Sequence, residues 1–506
     1  MKPSGKAVPA PFPSKVVEQA YGFIFENETT PFGPPELIEA YMRDLVEHSM
    51  PAEQALLTET IIPALRKQQS NEGAAEILRD LGRITKACGH EDILVRHEER
   101  VRKHLFSHFI TEVNDRGEGG RRIVFVAHQP YFVILREALS LRRLGYRLYL
   151  VSLWPVPDEL REIFDQAFDG IIDTYGSLRL ARKMIQSLHP DIFHIQCWMW
   201  FYVLGRMVIE NKGRAVAVCE FYDITSVYAE RDILCTNWPP LMVDMDFALE
   251  RFILERADAL VHRFPPFVVE EWRKRHGAMP PNIEMQAFPC PDFIVYDDKP
   301  SRQDGITRFV FTGGPTPHGE RQPAELHPTH NLHVAIRSLL EQGAAVDILH
   351  SPHSPMDSDD PDYAKYFELE RQFPLFRVLK GVSPEHLGKV LSKYDYGFHL
   401  THIDPDTLRV RESFMKGVVG TKIFACFEAG LPVLVNSEYE YMASIVTDNG
   451  LGLAVHSSEL DGIFDRLATF DYKEAVGNIK KFNNVHRMDR EIGRLVELYD
   501  QALAKE

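Results

Sequence analysis

Basic residues come before a helix-like segment in the C-terminal third of the sequence. Arg409 and Arg411 lie in the run LRVRES, and Thr421 and Lys422 open the apolar segment that follows. Free backbone N–H groups at the start of a helix, together with Arg and Lys side chains, bind phosphate groups. The pattern therefore predicts a phosphate site. The alternative is structural, with Thr421 as a helix N-cap and with Arg409 and Arg411 on a solvated face or in an ion pair with Glu412.

Other candidate residues follow short apolar runs that have the composition of buried strands. Gly313 and Gly314 end one such run, and a turn without side chains would let the backbone approach a phosphate closely. The alternative is a tight turn from strand to loop without a ligand. His128 and Asp223 end two further runs as candidate acceptor-side groups, against a loop-packing histidine and a helix-capping aspartate. Glu428 lies on an otherwise apolar helical segment, where an unpaired charge is costly, so it predicts a ligand contact or a salt bridge.

The positions of these residues are set by a repeated alternation of strands and helices that begins near residue 121. Strands that are apolar throughout and alternate with helices predict a parallel sheet buried on both faces. The alternation stops at a Pro- and Asp-rich segment, 288–305, and resumes after it. We therefore predict an α/β protein with two Rossmann-like domains, 121–297 and 305–482. Ligands bind beyond the carboxyl ends of parallel strands, so the cleft between the domains is the expected site.

The two ends of the chain have a different pattern. Residues 1–118 carry apolar residues at helical spacing without strand signals, which predicts an α-helical extension that ends at the Gly-rich break near 115–122. Residues 485–506 predict a closing helix, with Ile492, Leu495, Val496 and Tyr499 on one face. We expect this helix to pack back on the N-terminal domain. The aromatic run CWMWFY, 197–202, is interpreted as core rather than as a sugar platform.

Composition excludes several classes of protein. The chain has 506 residues and a formal net charge of −16, which argues against broad nucleic-acid binding. Its 6 cysteines are scattered, without CxxC or zinc-ligand spacing, as expected in a reducing cytosol. No signal-peptide pattern or apolar stretch of membrane-spanning length occurs, so a cytoplasmic location is expected. GxGxxG after the first strand of either domain, GxxxxGK[ST], GxSxG and HExxH are also absent.

The order of several segments resembles the GT-B glycosyltransferases, in particular the retaining family 4 type, over about residues 121–506. The segments that carry the resemblance include RRIVFVAHQPYF, HPDIFHIQ, ERADALVHRF, FVFTGG and TKIFACFEAGLPVLVN. The resemblance implies two domains that face each other across a cleft. It also implies transfer of a sugar from a nucleotide-activated donor with retention of configuration. The sequence shows no compact carboxylate cluster suited to a divalent metal, so we expect neither a metal nor another cofactor. The acceptor could be a lipid, a protein or a polysaccharide.

The sequence departs from the family at several positions. The donor-diphosphate Arg and Lys of the family correspond to Gly314 and His330, and its donor-binding Glu corresponds to Ala425. The histidine of its acceptor-side HD dipeptide corresponds to Tyr222, which precedes Asp223. We expect cations in the loop after FTGG, and Glu428 one turn after Ala425, to compensate.

The candidate site residues fall into two sets. The catalytic candidates are Asp223, His128 and Arg321. The donor-binding candidates are Gly313, Gly314, His318, Arg409, Arg411, Thr421, Lys422 and Glu428.

Two alternatives to a transferase remain open. The departures from the family favour a non-catalytic scaffold in which the α-helical extension recruits a protein partner or mediates self-association. A second alternative is an epimerase-like enzyme that acts on a nucleotide sugar without transfer. In every case we expect no nucleic-acid partner and at most peripheral contact with a membrane.

Overall fold

The computed structural model describes most of the chain from residue 120 onward and two short segments before it. The described residues are 10–27, 107–115, 120–130, 132–174, 176–297, 304–315, 326, 332–352 and 356–505. The chain divides into two compact units. The first unit comprises residues 10–222, 244–260 and 498–506. The second unit comprises residues 223–243 and 261–497.

The first sheet has seven strands in the order β3-β2-β1-β4-β5-β6-β7. The strands are β1 Arg122–Ala127, β2 Arg147–Ser152, β3 Gly170–Asp173, β4 Ile192–Cys197, β5 Val216–Phe221, β6 Ala259–His262 and β7 Asn282–Glu284. The pairings among β1 to β5 are parallel. Every residue of β4 and β5 is buried, as expected for central strands that are covered on both faces.

Two helices precede the first strand, and the others lie between or after the strands of this sheet. The helices are α1 Ser14–Asn27, α2 Ser107–Asn114, α3 Phe132–Arg143, α4 Asp158–Ala167, α5 Leu178–Ser187, α6 Val203–Asn211, α7 Thr225–Tyr228, α8 Arg231–Leu234, α9 Pro240–Arg256 and α10 Pro266–His276. In α4 the buried residues Leu160, Ile163, Phe164 and Ala167 recur at helical spacing, so one stripe of the helix faces the core. The side chain of Ser177 caps α5 by accepting a hydrogen bond from the Leu180 N–H at 3.0 Å.

The second sheet has six strands in the order β10-β9-β8-β11-β12-β13, and all five pairings are parallel. Its strands are β8 Arg308–Thr312, β9 Ala345–His350, β10 Phe376–Lys380, β11 Tyr396–His399, β12 Val433–Asn436 and β13 Gly452–Val455. The helices are α11 Leu332–Glu341, α12 Ala364–Gln372, α13 Pro384–Leu391, α14 Glu412–Gly417, α15 Lys422–Glu428, α16 Glu440–Asp448, α17 Ile463–Ala468, α18 Tyr472–Val485 and α19 Met488–Leu503. The two Rossmann-like sheets confirm the predicted fold class.

Two helices before residue 120 lie within the described residues, and most of the predicted extension over 1–118 lies outside them. The Glu18 carboxylate of α1 accepts two hydrogen bonds from Arg206 of α6, at 2.9 and 2.6 Å. The guanidinium carbon of Arg206 also lies 3.9 Å from the centre of the Tyr21 ring. These contacts hold α1 against α6.

The closing helix α19 buries three of the four residues of its predicted face, since Ile492, Leu495 and Tyr499 are each at most 1% exposed. The fourth, Val496, is partly exposed. The Tyr499 hydroxyl lies 2.5 Å from Nδ1 of His194, in the middle of β4. The end of α19 is therefore joined to the core of the first unit by a buried hydrogen bond. Among the described residues, no helix combines the length and the apolar composition needed to cross a membrane.

Candidate functional site

A lysine lies at the carboxyl end of β8 in the second unit. The Lys422 Nζ atom donates a hydrogen bond to the Gly314 carbonyl at 3.2 Å and lies 4.2 Å from the centre of the Phe311 ring. Desolvation lowers the pKa of Lys422 to about 8. The ammonium is therefore still charged at neutral pH, but it has lost part of its hydration. Such a cation interacts strongly with an anionic ligand.

The turn beside this lysine favours glycine at position 313. Gly313 has a φ angle of +84°, a left-handed conformation that side chains disfavour. A Cβ atom at this position would also lie 3.1 Å from Cε of Lys422. The Gly313 N–H donates to the Leu349 carbonyl at 2.8 Å, which ties the turn to β9. Gly313, Gly314 and Lys422 are thus three predicted donor-site residues that the structure brings together.

His399 lies near this lysine, because the charge of Lys422 acts on its imidazole. A Cβ atom on Gly420 would lie only 2.5 Å from Cδ2 of His399, so glycine leaves room for this imidazole. Burial, and then the charge of Lys422, lower the pKa of His399 to about 4. His399 is therefore neutral at pH 7 and can exchange hydrogen bonds without adding charge. Its ring lies edge-on to Tyr439, with a centroid distance of 5.5 Å.

Two tyrosines connect this cluster with Asp223. Burial, then the charges of Asp223 and Tyr439, raise the pKa of Tyr228. Burial also raises the pKa of Asp223 to about 6, while the charge of Arg263 opposes the rise. Asp223, Tyr228, Tyr439, His399 and Lys422 thus form a series of neighbouring titratable groups within the second unit. We call this series the polar row.

The basic loop before α14 is arranged differently from the prediction of a phosphate site. The Arg411 guanidinium pairs with the Glu230 carboxylate, and its Nη1 atom lies 3.9 Å from Glu271. Its backbone N–H donates to the Tyr228 carbonyl at 2.9 Å. Arg411 therefore holds this loop to the segment after β5, whereas Arg409 is exposed.

Glu428 faces a backbone segment. Its Oε1 atom accepts a hydrogen bond from the Cys290 N–H at 2.7 Å, and its carbonyl accepts one from Val295 at 3.0 Å. The side chain is 3% exposed. Glu428 thus connects α15 with the segment that precedes β8, and the structure does not bring it together with Lys422.

The remaining donor-site predictions have other positions. Thr421 precedes α15 in a helical conformation, and its side chain makes no capping hydrogen bond. His318 and Arg321, like His330, lie outside the described residues.

In the first unit, His128 lies in an aromatic cluster. Its ring stacks on Phe201 at a centroid distance of 4.3 Å and lies edge-on to Trp198 at 5.5 Å. Burial lowers the pKa of His128 to about 4, so the imidazole is neutral at pH 7. Cys197 and Tyr202 are buried, but the residues between them are partly exposed. The core interpretation of the run 197–202 is therefore right only for its two ends.

A second polar cluster is formed by side chains from β4, β5 and α3 of the first unit. The Nε2 atom of His194 is 3.4 Å from Glu220 and 4.0 Å from Glu137, and all three side chains are fully buried. One ligand atom from each lies within 4.8 Å of the others, which makes this the group that could hold a metal ion within the described ranges. The Tyr499 hydroxyl on Nδ1 also fits a simpler arrangement, in which Nε2 carries the proton and faces two carboxylates.

Sequence reasoning missed three members of the polar row. His399 precedes Thr401 in a strand-end segment, so its position could have been found by extending the search for strand ends by two residues. Tyr228 and Tyr439 lie in helical and loop segments, and nothing in their local pattern indicates that they meet. Only the packing of α7 and of the β12–α16 connection brings them together.

Comparisons with known proteins agree with this architecture. Residues 364–490 match a family model described as glucosyltransferase 3-like, C-terminal domain. None of the curated proteins compared with the chain matches its sequence. The Anabaena protein Alr3699/HepE, solved with UDP and glucose, is 12% identical with a TM-score of 0.51, covering 74% of this chain and 98% of its own. The Thermobaculum terrenum O-GlcNAc transferase is 13% identical with a TM-score of 0.47. The match covers 97% of this chain and 99% of the transferase.

The two parallel sheets and the likeness to the Anabaena protein define the fold class of the chain, which is that of the GT-B glycosyltransferases. Within this class, the segment from α12 to the start of α19 is similar to the C-terminal domain of the glucosyltransferase 3-like proteins. This segment contains His399, Lys422 and Tyr439, which are three of the five residues of the polar row.

Proposed function

We propose that the chain is a glycosyltransferase that binds the diphosphate of a nucleotide-activated sugar at Lys422 and the Gly313–Gly314 turn. The observation that carries the proposal is the partly desolvated Lys422 ammonium beside a turn that has no side chains. A diphosphate can approach the backbone there and pair with the cation. In a site that excludes water, this pairing stabilises the charge that develops on the leaving oxygen.

Transfer with retention needs no covalent protein nucleophile. The bond between the sugar C1 and the diphosphate oxygen breaks, and the acceptor hydroxyl oxygen bonds to C1 on the same face. The leaving diphosphate accepts the hydroxyl proton. In this scheme Lys422 replaces a divalent metal, and the Asp223 carboxylate accepts a hydrogen bond from a sugar or acceptor hydroxyl and orients it.

UDP-glucose is the first donor to test. The matched family model is glucosyltransferase-like, and the Anabaena structure contains UDP and glucose. We keep other nucleotide sugars in the screen because the matched family model covers residues 364–490 and leaves out the Gly313–Gly314 turn.

The decisive experiment is titration calorimetry with UDP and UDP-glucose on the wild type and on Lys422→Met. Loss of one charge-assisted hydrogen bond costs about 1.5–3 kcal/mol, so we expect the affinity to fall roughly ten- to 150-fold. The free variant should melt no lower than the wild type, because an apolar side chain replaces a desolvated amine. Lys473→Met, at an exposed lysine on α18, is the matched control and should bind UDP normally.

Two further outcomes separate the alternatives. If no UDP-, GDP-, ADP- or CDP-sugar raises the melting temperature, the chain is a scaffold and the proposal fails. If the donor is converted to another nucleotide sugar without an acceptor, the activity is epimerase-like. Transfer that persists in excess EDTA would support the metal-independent mechanism.

A further inference from the structure

Aromatic side chains gather at the carboxyl ends of two central strands of the first unit. His128 follows β1, and Trp198, Trp200 and Phe201 follow β4. The three residues after β4 are partly exposed, whereas the neighbouring residues Cys197 and Tyr202 are buried. We call His128, Trp198, Trp200 and Phe201 the aromatic ledge.

Ring contacts hold three members of the ledge, His128, Trp198 and Phe201. The Trp198 ring lies flat on Tyr222, with a centroid distance of 4.6 Å and an interplanar angle of 9°. The Tyr222 hydroxyl accepts a hydrogen bond from Gln196 at 2.8 Å and lies 3.3 Å from the Glu220 carboxylate. His128 stacks on Phe201 in the same way. Rings held by such contacts present fixed faces to a ligand, and little side-chain entropy is lost when the ligand binds.

The backbone at Trp200 is strained. Its φ angle is +73°, and it is the non-glycine residue with a positive φ in the described part of the chain. A bulky side chain disfavours this left-handed conformation. The Trp200 N–H donates to the Asp246 carboxylate at 3.0 Å, and Asp246 is 2% exposed. A buried carboxylate therefore maintains a strained aromatic residue at the carboxyl edge of the sheet, and strain of this kind clusters at functional sites.

His128 supplies a polar atom to the ledge. Its side chain is 6% exposed, and Nδ1 has no hydrogen-bond partner among the described residues. Buried polar atoms are usually paired, so an orphaned ring nitrogen indicates a partner that arrives with a ligand. Because the imidazole is neutral, that partner is a neutral donor or acceptor such as a hydroxyl group.

We infer that the aromatic ledge is the acceptor subsite and that the acceptor presents a sugar ring. The C–H face of a pyranose packs on the negative face of an aromatic ring, and its hydroxyl groups can pair with Nδ1 of His128. A phosphorylated lipid head group would require cations, which the ledge lacks. This inference rests on the proposed glycosyltransferase activity and adds the class of acceptor to it.

The test uses the full-length chain on an array of immobilised glycans, without any nucleotide sugar. The wild type should retain at least one glycan, and a solution titration with that glycan should give its affinity. Trp200→Asn removes the ring, but Asn tolerates a positive φ angle. We expect this variant to bind the glycan at least tenfold more weakly and to melt at the same or a higher temperature.

Two further variants separate a binding role from a structural role. His128→Phe keeps a ring on Phe201 but removes the orphaned nitrogen, so glycan affinity should fall while the melting temperature does not. Trp238→Ala, at a partly exposed tryptophan outside the ledge, should bind the glycan like the wild type. If Trp200→Asn and His128→Phe lower the melting temperature but leave glycan affinity unchanged, the ledge is structural and the inference is wrong.

Nucleotide binding distinguishes failure of this inference from failure of the proposed function. A chain that binds UDP by calorimetry but retains no glycan on the array would overturn the sugar acceptor and leave the transferase proposal standing. A chain that retains a glycan through the ledge but binds no nucleotide would support the subsite and overturn the transferase.

Discussion

At the scale of single residues, the environment of Lys422 sets how donor binding depends on pH. The pKa of Lys422 is lowered to about 8, so the folded protein binds its proton less tightly than the unfolded chain does. Between this value and the ordinary lysine pKa, the unfolded chain holds more protons, and stability rises with pH. Diphosphate binding has the opposite dependence because it needs the ammonium form.

We therefore predict that affinity for UDP-glucose, whose diphosphate is a diester and stays fully ionised, falls as the pH rises through about 8. The bound anion favours the ammonium form, so the midpoint in the complex lies above the value for the free protein. Calorimetry at a series of pH values measures the decline. Lys422→Met should show a flat profile, and a decline that survives this substitution would assign the effect to another group.

Asp223 sets the acid side of the activity profile. Its pKa is raised to about 6, and the proposed role requires the carboxylate, so kcat/KM should fall as the pH decreases through about 6. Asp223→Asn removes a charge-assisted hydrogen bond worth about 1.5–3 kcal/mol, so it should lower kcat/KM roughly ten- to 150-fold and remove this acidic limb. The measurement is the initial rate of transfer between pH 4.5 and 8. A limb that persists in the variant would exclude Asp223 as its cause.

At the scale of elements, α15 combines two roles along seven residues. Its first residue, Lys422, faces the Gly313 turn, and its last residue, Glu428, holds the segment that includes Cys290 and Val295. The helix therefore links the proposed donor contact to the chain that enters β8. The sequence pattern assigned both residues to one ligand, but their contacts point to different partners.

We predict that Glu428→Ala destabilises the protein by about 1–3 kcal/mol, because the buried Cys290 N–H loses its acceptor. Glu428→Gln keeps an acceptor oxygen for this N–H, so it should lower the free energy of unfolding by a smaller amount. Chemical denaturation of both variants measures the difference, and UDP titration is the companion experiment. The original expectation, that Glu428 binds donor hydroxyls, predicts instead that Glu428→Gln weakens UDP-glucose binding and leaves stability unchanged.

At the scale of the whole molecule, the last helix completes the core far from its position in the sequence. Tyr499 reaches His194 in the middle of β4, and burial keeps the Tyr499 hydroxyl protonated by raising its pKa. The carboxylates of Glu137 and Glu220 lie on the other side of the same imidazole. A polar network without solvent contact is stable only when its hydrogen bonds are made.

Deletion of residues 488–506 should therefore lower the melting temperature or cause aggregation, since it exposes the apolar partners of α19 and leaves Nδ1 of His194 unpaired. Differential scanning fluorimetry and gel filtration measure these effects. A shorter deletion, 504–506, removes residues beyond the helix and is the control, which should melt like the wild type. A full deletion that melts normally would show that α19 adds nothing to the core.

Local pattern determined the architecture of this protein to a large extent. Apolar runs of strand length that alternate with helical runs can bury both faces of a sheet only when helices cover them, so the two parallel sheets follow from periodicity. The same logic located Gly313, Lys422, His128 and Asp223 at strand ends or helix starts. Hydrophobic spacing likewise predicted which face of the closing helix is buried.

Tertiary structure alone decided which of these residues meet. The polar row includes Asp223, just after β5, and Tyr439, just before α16, which lie more than 200 positions apart, and no local pattern reports such a contact. Arg411 and Glu428 had the right chemistry for a ligand, but carboxylates and backbone groups from distant segments occupy them. The sequence could not predict the partial exposure of Trp198 and Trp200, because an apolar run has the same composition in a core and on the aromatic ledge. Periodicity depends on neighbours along the chain, whereas a site depends on neighbours in space.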